Sequence, residues 1–395
     1  MHARRLGVHT RQIDVWRCCR QVVTAGALAV AAGGTSAQYA AIALPTLGGS
    51  HSAAHAINNA GQVVGYSYTA GDSAMRATLW TGGVATDLGT LGGTNGVAHG
   101  INNAGQVVGQ SQTLGDAGPR ATLWRHGSAT DLGTLGGSYS YAYGINNTGQ
   151  VVGISSETTL GSSRATLWSG GAATDLGALG GTSSEGYAIN DAGQVVGQSQ
   201  ITTATAVYPR ATLWSGGAAT GLSPLGGLAS FAYGINNAEQ VVGFSESADG
   251  TALHATLWSG GMAIDLGTLG GTFSIARSIN NAGQIVGFSQ LAGDAANHAT
   301  LWSGGEAIDL NKYLSPADLS AGWVFDANLG GSAIAINDNG WIALTAANRV
   351  TDNTQAFVLM PDVGVVPEPE SLVLICGGLA LLALERRRKP LRLAP

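Results

Sequence analysis

Carboxylates and basic side chains recur at fixed places in this chain. Asp87, Asp131, Asp175, Asp265 and Asp309 hold one position of a repeated unit, and Arg76, Arg120, Arg164, Arg210, His254 and His298 hold another. Glycoside cleavage takes two carboxylates converging within about 5–10 Å on one substrate. The Asp series falls on the last and outermost strand of each unit, where such convergence is not expected, so these residues read as hydrogen-bonding latches for local turns. The basic series either faces an acidic glycan or makes one contact between neighbouring units over and over. Arg and His interchange there, whereas a metal site needs neutral imidazoles, so His254 and His298 are not read as a metal pair. Asp72, Asp116, Asp249 and Asp294 sit beside Gly in loops, but none belongs to a D-x-D-x-D-G string, which argues against calcium. No H-E-x-x-H, Gly-Lys-Ser/Thr phosphate loop or G-x-S-x-G string is present. No catalytic residue, metal or cofactor is therefore assigned.

The elements that carry these residues are legible as repeats. The string I-N-N/D-x-G/E-Q-V/I-V-G begins at Ile57, Ile101, Ile145, Ile189, Ile235 and Ile279, spaced by 44 residues with one interval of 46, and a degenerate copy starts at Ile336. R/H-A-T-L-W ends at Trp80, Trp124, Trp168, Trp214, Trp258 and Trp302, and Gln355–Leu359 is its altered seventh copy. In the unit around Ile101 the alternation predicts strands at about 97–101, 106–111, 120–124 and 128–132. Asn102-Asn103-Ala104-Gly105 supplies the first tight turn. Four antiparallel strands in some 44 residues is the arithmetic of a β-propeller blade, and the tryptophans then read as wedges between blades. The coils of a β-solenoid are shorter and lack a hairpin at every strand.

Segment 41–49 aligns with segment 85–93, so the chain starts on a fourth strand and ends on a third. The expected fold is all-β, a seven-bladed propeller of four-stranded antiparallel blades closed by the N-terminal strand. A six-bladed ring with a dangling last unit is the rival arrangement. The repeats resemble the HAF-repeat family of bacterial extracellular proteins through His254-Ala255-Thr256, His298-Ala299-Thr300 and Gln355-Ala356-Phe357, supported by the I-N-N and L-W strings. Thr replaces Phe in six copies and Arg replaces His in four. The resemblance covers nearly all of 38–365 and implies secretion and a propeller-like repeat, with no established catalytic activity.

Composition agrees with a packed, neutral, turn-rich body: of 395 residues 11% are charged, 45% apolar and 61 are Gly. Residues 38–365 hold eight basic against twenty acidic residues, a formal net charge of −12. Such a body repels phosphate backbones, and nucleic acid is not an expected partner. Cys18, Cys19 and Cys376 all lie outside it, so the body has no disulfide.

The two ends read as addresses. Arg4, Arg5, Arg11, Arg17 and Arg20 precede an apolar run from Val22 to Gly34 and then Thr35-Ser36-Ala37, the order of a secretory signal cleaved between Ala37 and Gln38 by signal peptidase. A retained helix is the other reading. At the far end, Val366-Pro367-Glu368-Pro369 is followed by an apolar stretch containing Leu372, Leu374, Leu379 and Leu382, then by Arg386-Arg387-Arg388-Lys389. Its fourteen residues, 371–384, would form a hydrophobic helix of roughly 21 Å, with the basic block on the cytoplasmic side. This segment, 366–395, resembles the PEP-CTERM sorting signal of Gram-negative bacteria. That resemblance implies recognition of Pro367, Glu368 and Pro369 by an exosortase-like processing enzyme, with transient residence in the inner membrane and removal of the tail. An ordinary C-terminal membrane anchor is the alternative.

Ligand selection is expected where the units differ. Connections between second and third strands vary freely, and Tyr139, Tyr141, Tyr143, Phe231, Tyr233 and Phe273 stand on or near the connections that share their face. The function read from the sequence is an exported, non-catalytic surface or matrix protein that binds polysaccharide or a surface protein through that face. The alternative is an extracellular propeller hydrolase or lyase acting on polysaccharide.

Overall fold

The computed structural model describes residues 39–361 except 117, 158–161, 204–205, 294 and 331–334. Ala37, Gln38, the sorting segment from Val366 with its hydrophobic helix and basic tail, and Asp294 lie outside the described residues. Among the described residues no helix is long and apolar enough to cross a membrane.

The described chain is all-β, a propeller-like succession of four-stranded antiparallel sheets. It opens with β1 (Tyr39–Ala43). The first unit follows as β2 (Gly48–Ile57), β3 (Val63–Thr69), β4 (Met75–Thr81) and β5 (Val84–Asp87), paired in that order. Each element follows from its residues. Between β2 and β3, Asn58–Gly61 closes a tight turn in which Gly61 N–H donates to Asn58 O at 3.0 Å, with Gly61 at φ +73°. Gly82 and Gly83, both at positive φ, make the two-residue turn between β4 and β5 whose twist suits a hairpin. In the second unit the strands run Gly92–Ile101, Val107–Thr113, Pro119–Arg125 and Ser128–Asp131. The first is five residues longer than alternation predicts, because its N-terminal half pairs again beyond an interruption between Gly92 and Gly96.

The core lies between units. Val64 and Ala77 of the first pack with Ala98, Val107 and Trp124 of the second, and a closely similar set recurs at the junctions as far as the sixth unit. Trp80, 1% exposed, packs against Ala343, Ala356 and Val358 near the other end of the chain and donates its indole N–H to Pro45 O at 2.7 Å. Burial of this kind makes each unit dependent on its neighbours.

The last unit departs from the pattern. Its strands Ile342–Asn348 and Thr354–Pro361 pair with each other, and β1 adds antiparallel to the second, with Ala41 opposite Leu359 and Ala43 opposite Phe357. Leu44 N–H donates to Ala356 O at 2.8 Å, as Leu88 N–H does to Ala77 O at 2.9 Å in the first unit, so the alignment of 41–49 with 85–93 holds to the residue. An insertion ahead of this unit carries a helix that the repeat pattern does not announce, Pro316–Ser320. Ser315 and Asp318 form its capping box and Pro316 starts it, a local signal overshadowed by the surrounding strands.

Candidate functional site

The turn asparagines do more than turn the chain. Asn58 Oδ1 accepts from Ala60 and Gln62 N–H, while its Nδ2 donates to Gln62 Oε1 at 2.8 Å and to Asn102 O of the next unit at 3.1 Å. The bond to the next unit repeats from Asn102 to Asn146, then Asn190, Asn236, Asn280 and Asn337, and Asn337 donates back to Asn58 O at 2.9 Å. A second series runs beside it, from Asn59 N–H to Asn103 Oδ1 and on through Asn147, Asp191, Asn237, Asn281 and Asp338 to Asn59 Oδ1.

These two series line one end of a channel of about 370 Å3. Deeper in, His55, His99, Tyr143, Tyr187, Tyr233 and Arg277 line it from six successive units. Each is the extra residue of a β-bulge. Ala54 pairs with Gly65 and Ala56 with Val64, so His55 has no partner in the register, and the same interruption falls at His99, Tyr143, Tyr187, Tyr233 and Arg277. A bulge re-aims the side chain of its extra residue, here into the channel. The opposing strand makes room with the glycine of Val-Val-Gly: a Cβ on Gly65 would stand 1.9 Å from Ala53 O, and on Gly153 1.9 Å from Tyr141 O.

The six side chains form a belt. The rings of His55 and His99 stack at 5.1 Å, His99 meets Tyr143 at 5.4 Å, Tyr143 meets Tyr187 at 5.8 Å and Tyr187 meets Tyr233 at 5.2 Å. The Arg277 guanidinium lies 4.4 Å over the Tyr233 ring. Burial pushes His99 down to about 3, reinforced by His55, and lowers His55 as well. Burial, then the charge of Glu185, pushes the Tyr187 hydroxyl well above the usual phenol range, and burial does the same for Tyr143 and raises Tyr233 against the opposing pull of Arg277. Tyr187 donates to Glu185 on the same strand. At the asparagine end, burial raises Asp191, but donors from Asn147 and Asn237 outweigh it and hold the carboxyl below its ordinary value. Asp338 is held low likewise, burial being outweighed by donors from Asn281 and Asn59.

The aromatic residues singled out from the sequence join this belt. Tyr139 meets Tyr141 at 5.8 Å, and Tyr141 stacks with Tyr143 at 6.4 Å along one strand. Phe231 stacks with Phe244 at 4.9 Å and shares a cluster with Tyr233, Phe288 and Phe273. Tyr143 and Tyr233 thus point into the channel and are not on a loop surface. Sequence reasoning passed over His55, His99, Tyr187 and Arg277. The signal was available, since each stands two residues before the Ile of its I-N-N string, as do Tyr143 and Tyr233.

The recurring acidic and basic residues lie elsewhere, and four units pair them with each other, while Asp131 accepts Gly133 N–H at 2.8 Å. Asp87 Oδ1 accepts Gly89 N–H at 2.8 Å while Oδ2 takes Arg76 Nε at 2.9 Å. Asp175 pairs with Arg164, and Asp265 and Asp309 with His254 and His298 at 2.7 Å. Arg and His interchange because each presents an N–H to the same carboxylate oxygen. Arg76 also reaches Thr94 O of the next unit at 3.1 Å, which makes it a contact between units. In the fourth unit Gly221 replaces the Asp, and the buried Nε of Arg210 has no partner. Asp72 and Asp116 accept from Ser50 and Thr94 N–H at the start of the first strands. Among the described residues no group of three or more His, Cys, Asp or Glu is placed to hold a metal ion.

No protein-family model matches the chain, and no curated protein matches it. Among solved structures it is similar to TolB from Acinetobacter baumannii, with 11% identity over 65% of this chain and 63% of that one at a TM-score of 0.43. It is similar to the acylaminoacyl peptidase of Pyrococcus horikoshii, with 10% identity over 77% of this chain and 51% of that one at a TM-score of 0.46. It is also similar to the gluconolactonase XC5397 of Xanthomonas campestris, with 10% identity over 80% and 88% at a TM-score of 0.37. The chain spans between half and two thirds of the length of the first two.

Proposed function

We propose that this chain is an exported, non-catalytic repeat protein of the cell surface or extracellular matrix that binds glycan or a neighbouring protein at its channel. In this reading the sheets are the blades of a closed seven-bladed propeller of HAF-repeat type, with β1 as the fourth strand of the last blade. The return of both asparagine series to their starting residues supports closure. The leader ending at Ala37 would be removed by signal peptidase and the segment from Val366 processed by an exosortase-type enzyme after transient membrane residence.

The belt of bulge residues is the observation that carries the binding role. Six units place rings or a guanidinium on one channel, a surface suited to stacking a sugar, on a scaffold that is otherwise repeated. Glu185 and Tyr187 are what favour the competing reading, a polysaccharide hydrolase or lyase. A general base works best with a pKa near the working pH, and His99 near 3 and Tyr187 far above 10 are both driven away from it. A glycan array probed with the full chain, followed by product analysis on every hit, tests the proposal. Retention of unaltered glycan is the expected result, and turnover would replace binding with catalysis.

A further inference from the structure

We propose that the channel takes a sugar carboxylate, a hexuronate unit, with Arg277 as its anchor. The inference deepens the binding role proposed above and rests on it. The two carboxylates among the channel-lining residues, Asp191 and Asp338, are each engaged by amide donors on both sides, Asn147 with Asn237 and Asn59 with Asn281. The channel's guanidinium has, among the described residues, no carboxylate partner, only the Tyr233 hydroxyl as a hydrogen-bonding neighbour. Among the described residues no carboxylate lies within ion-pair distance of Arg277, and its buried Nε–H has no hydrogen-bond partner. It rests instead on the faces of Tyr233, at 4.4 Å, and Phe288, at 5.7 Å. A buried cation with an idle donor gains most from a planar anion that accepts two parallel N–H bonds, which a carboxylate does.

The ligand's charge follows from the rest of the lining. His55 and His99 are held neutral, so Arg277 is the channel's positive group among the described residues. The guanidinium fork matches the two oxygens of a single carboxylate, while Asp191, Asp338 and the nearby Glu185 disfavour a ligand with a second negative charge, such as a phosphate dianion. The ligand's body is set by the walls. Tyr143, Tyr187 and Tyr233 present ring faces and edges next to the guanidinium, and a cavity of about 370 Å3 is at the small end of ligand sites, suited to one or two sugar rings.

Calorimetric titration of the detergent-solubilised full chain with glucuronate, galacturonate, glucose and glucose 6-phosphate tests the assignment. Glucuronate or galacturonate is expected to bind at least about tenfold tighter than glucose and than glucose 6-phosphate. Arg277→Gln is expected to erase that preference, and Arg277→Lys to keep part of it. Equal affinity for glucuronate and glucose would overturn the anchor and leave channel binding standing. Preference for the phosphate, or a uronate preference that survives Arg277→Gln, would overturn it as well. Array hits without any monosaccharide binding would also overturn it, by moving recognition from the channel to the loops.

Discussion

Two adjacent turn residues show how hydrogen-bonding capacity dictates identity. At the first position of the turn Asn58 accepts two backbone N–H groups and donates to two oxygens, which asparagine can do and aspartate cannot. The second position need only accept from the preceding unit, and there Asp191 and Asp338 replace Asn. Asn102→Asp is therefore expected to cost about 2–3 kcal/mol, by setting a carboxylate against Gln106 Oε1 and Asn146 O, whereas Asn103→Asp should stay within about 0.5 kcal/mol. Urea melts of the two variants check the contrast, and equal losses would contradict the role of the donor. Glu239 sits at φ +61° where the other turns carry Gly, so Glu239→Gly should gain about 1 kcal/mol in the same assay. The pattern of Asn at the first position and Asn or Asp at the second was legible in the sequence. Its meaning was not, because the receiving carbonyl lies 44 residues away.

At the scale of the strand, the bulge explains both the channel belt and the Val-Val-Gly string. Gly153→Ala would press a methyl group into Tyr141 O, and we expect it to cost about 1–3 kcal/mol and to weaken the proposed sugar binding by displacing Tyr143. A melt paired with a titration checks both effects. The pairing of third and fourth strands adds a pH dependence. Burial raises Asp309, but the bond with His298 and the donors of Asn311 outweigh it, leaving the folded carboxyl below its ordinary value of 3.8. A depressed carboxylate stabilises the fold above the unfolded pKa, and that contribution is lost as pH falls through the folded pKa. The stability advantage of the wild type over Asp309→Asn should thus be level above about pH 5 and shrink below about pH 4. Unfolding midpoints across pH 2–7 test the sign, and an advantage that grows on acidification would contradict it.

For the whole molecule the decisive contacts join the two ends of the described chain. β1 covers the edge of Thr354–Pro361, and Trp80 packs between the first and last units. Removing residues 39–43 should expose that edge, lower stability by several kcal/mol and promote self-association, read by denaturant melts and size-exclusion chromatography. A monomer of unchanged stability would contradict the role of β1 in covering that edge. The repeat itself fixed the hairpins, the sheet order within each unit and the pairing of 41–43 with the last strand, because those follow from local turn chemistry and from a register copied from unit to unit. Tertiary structure alone decided which side chains meet in the channel. A bulge breaks the two-residue alternation just before each Asn turn, so the direction of His55, Tyr187 or Arg277 cannot be counted along the strand, and the neighbours of each come from the next unit.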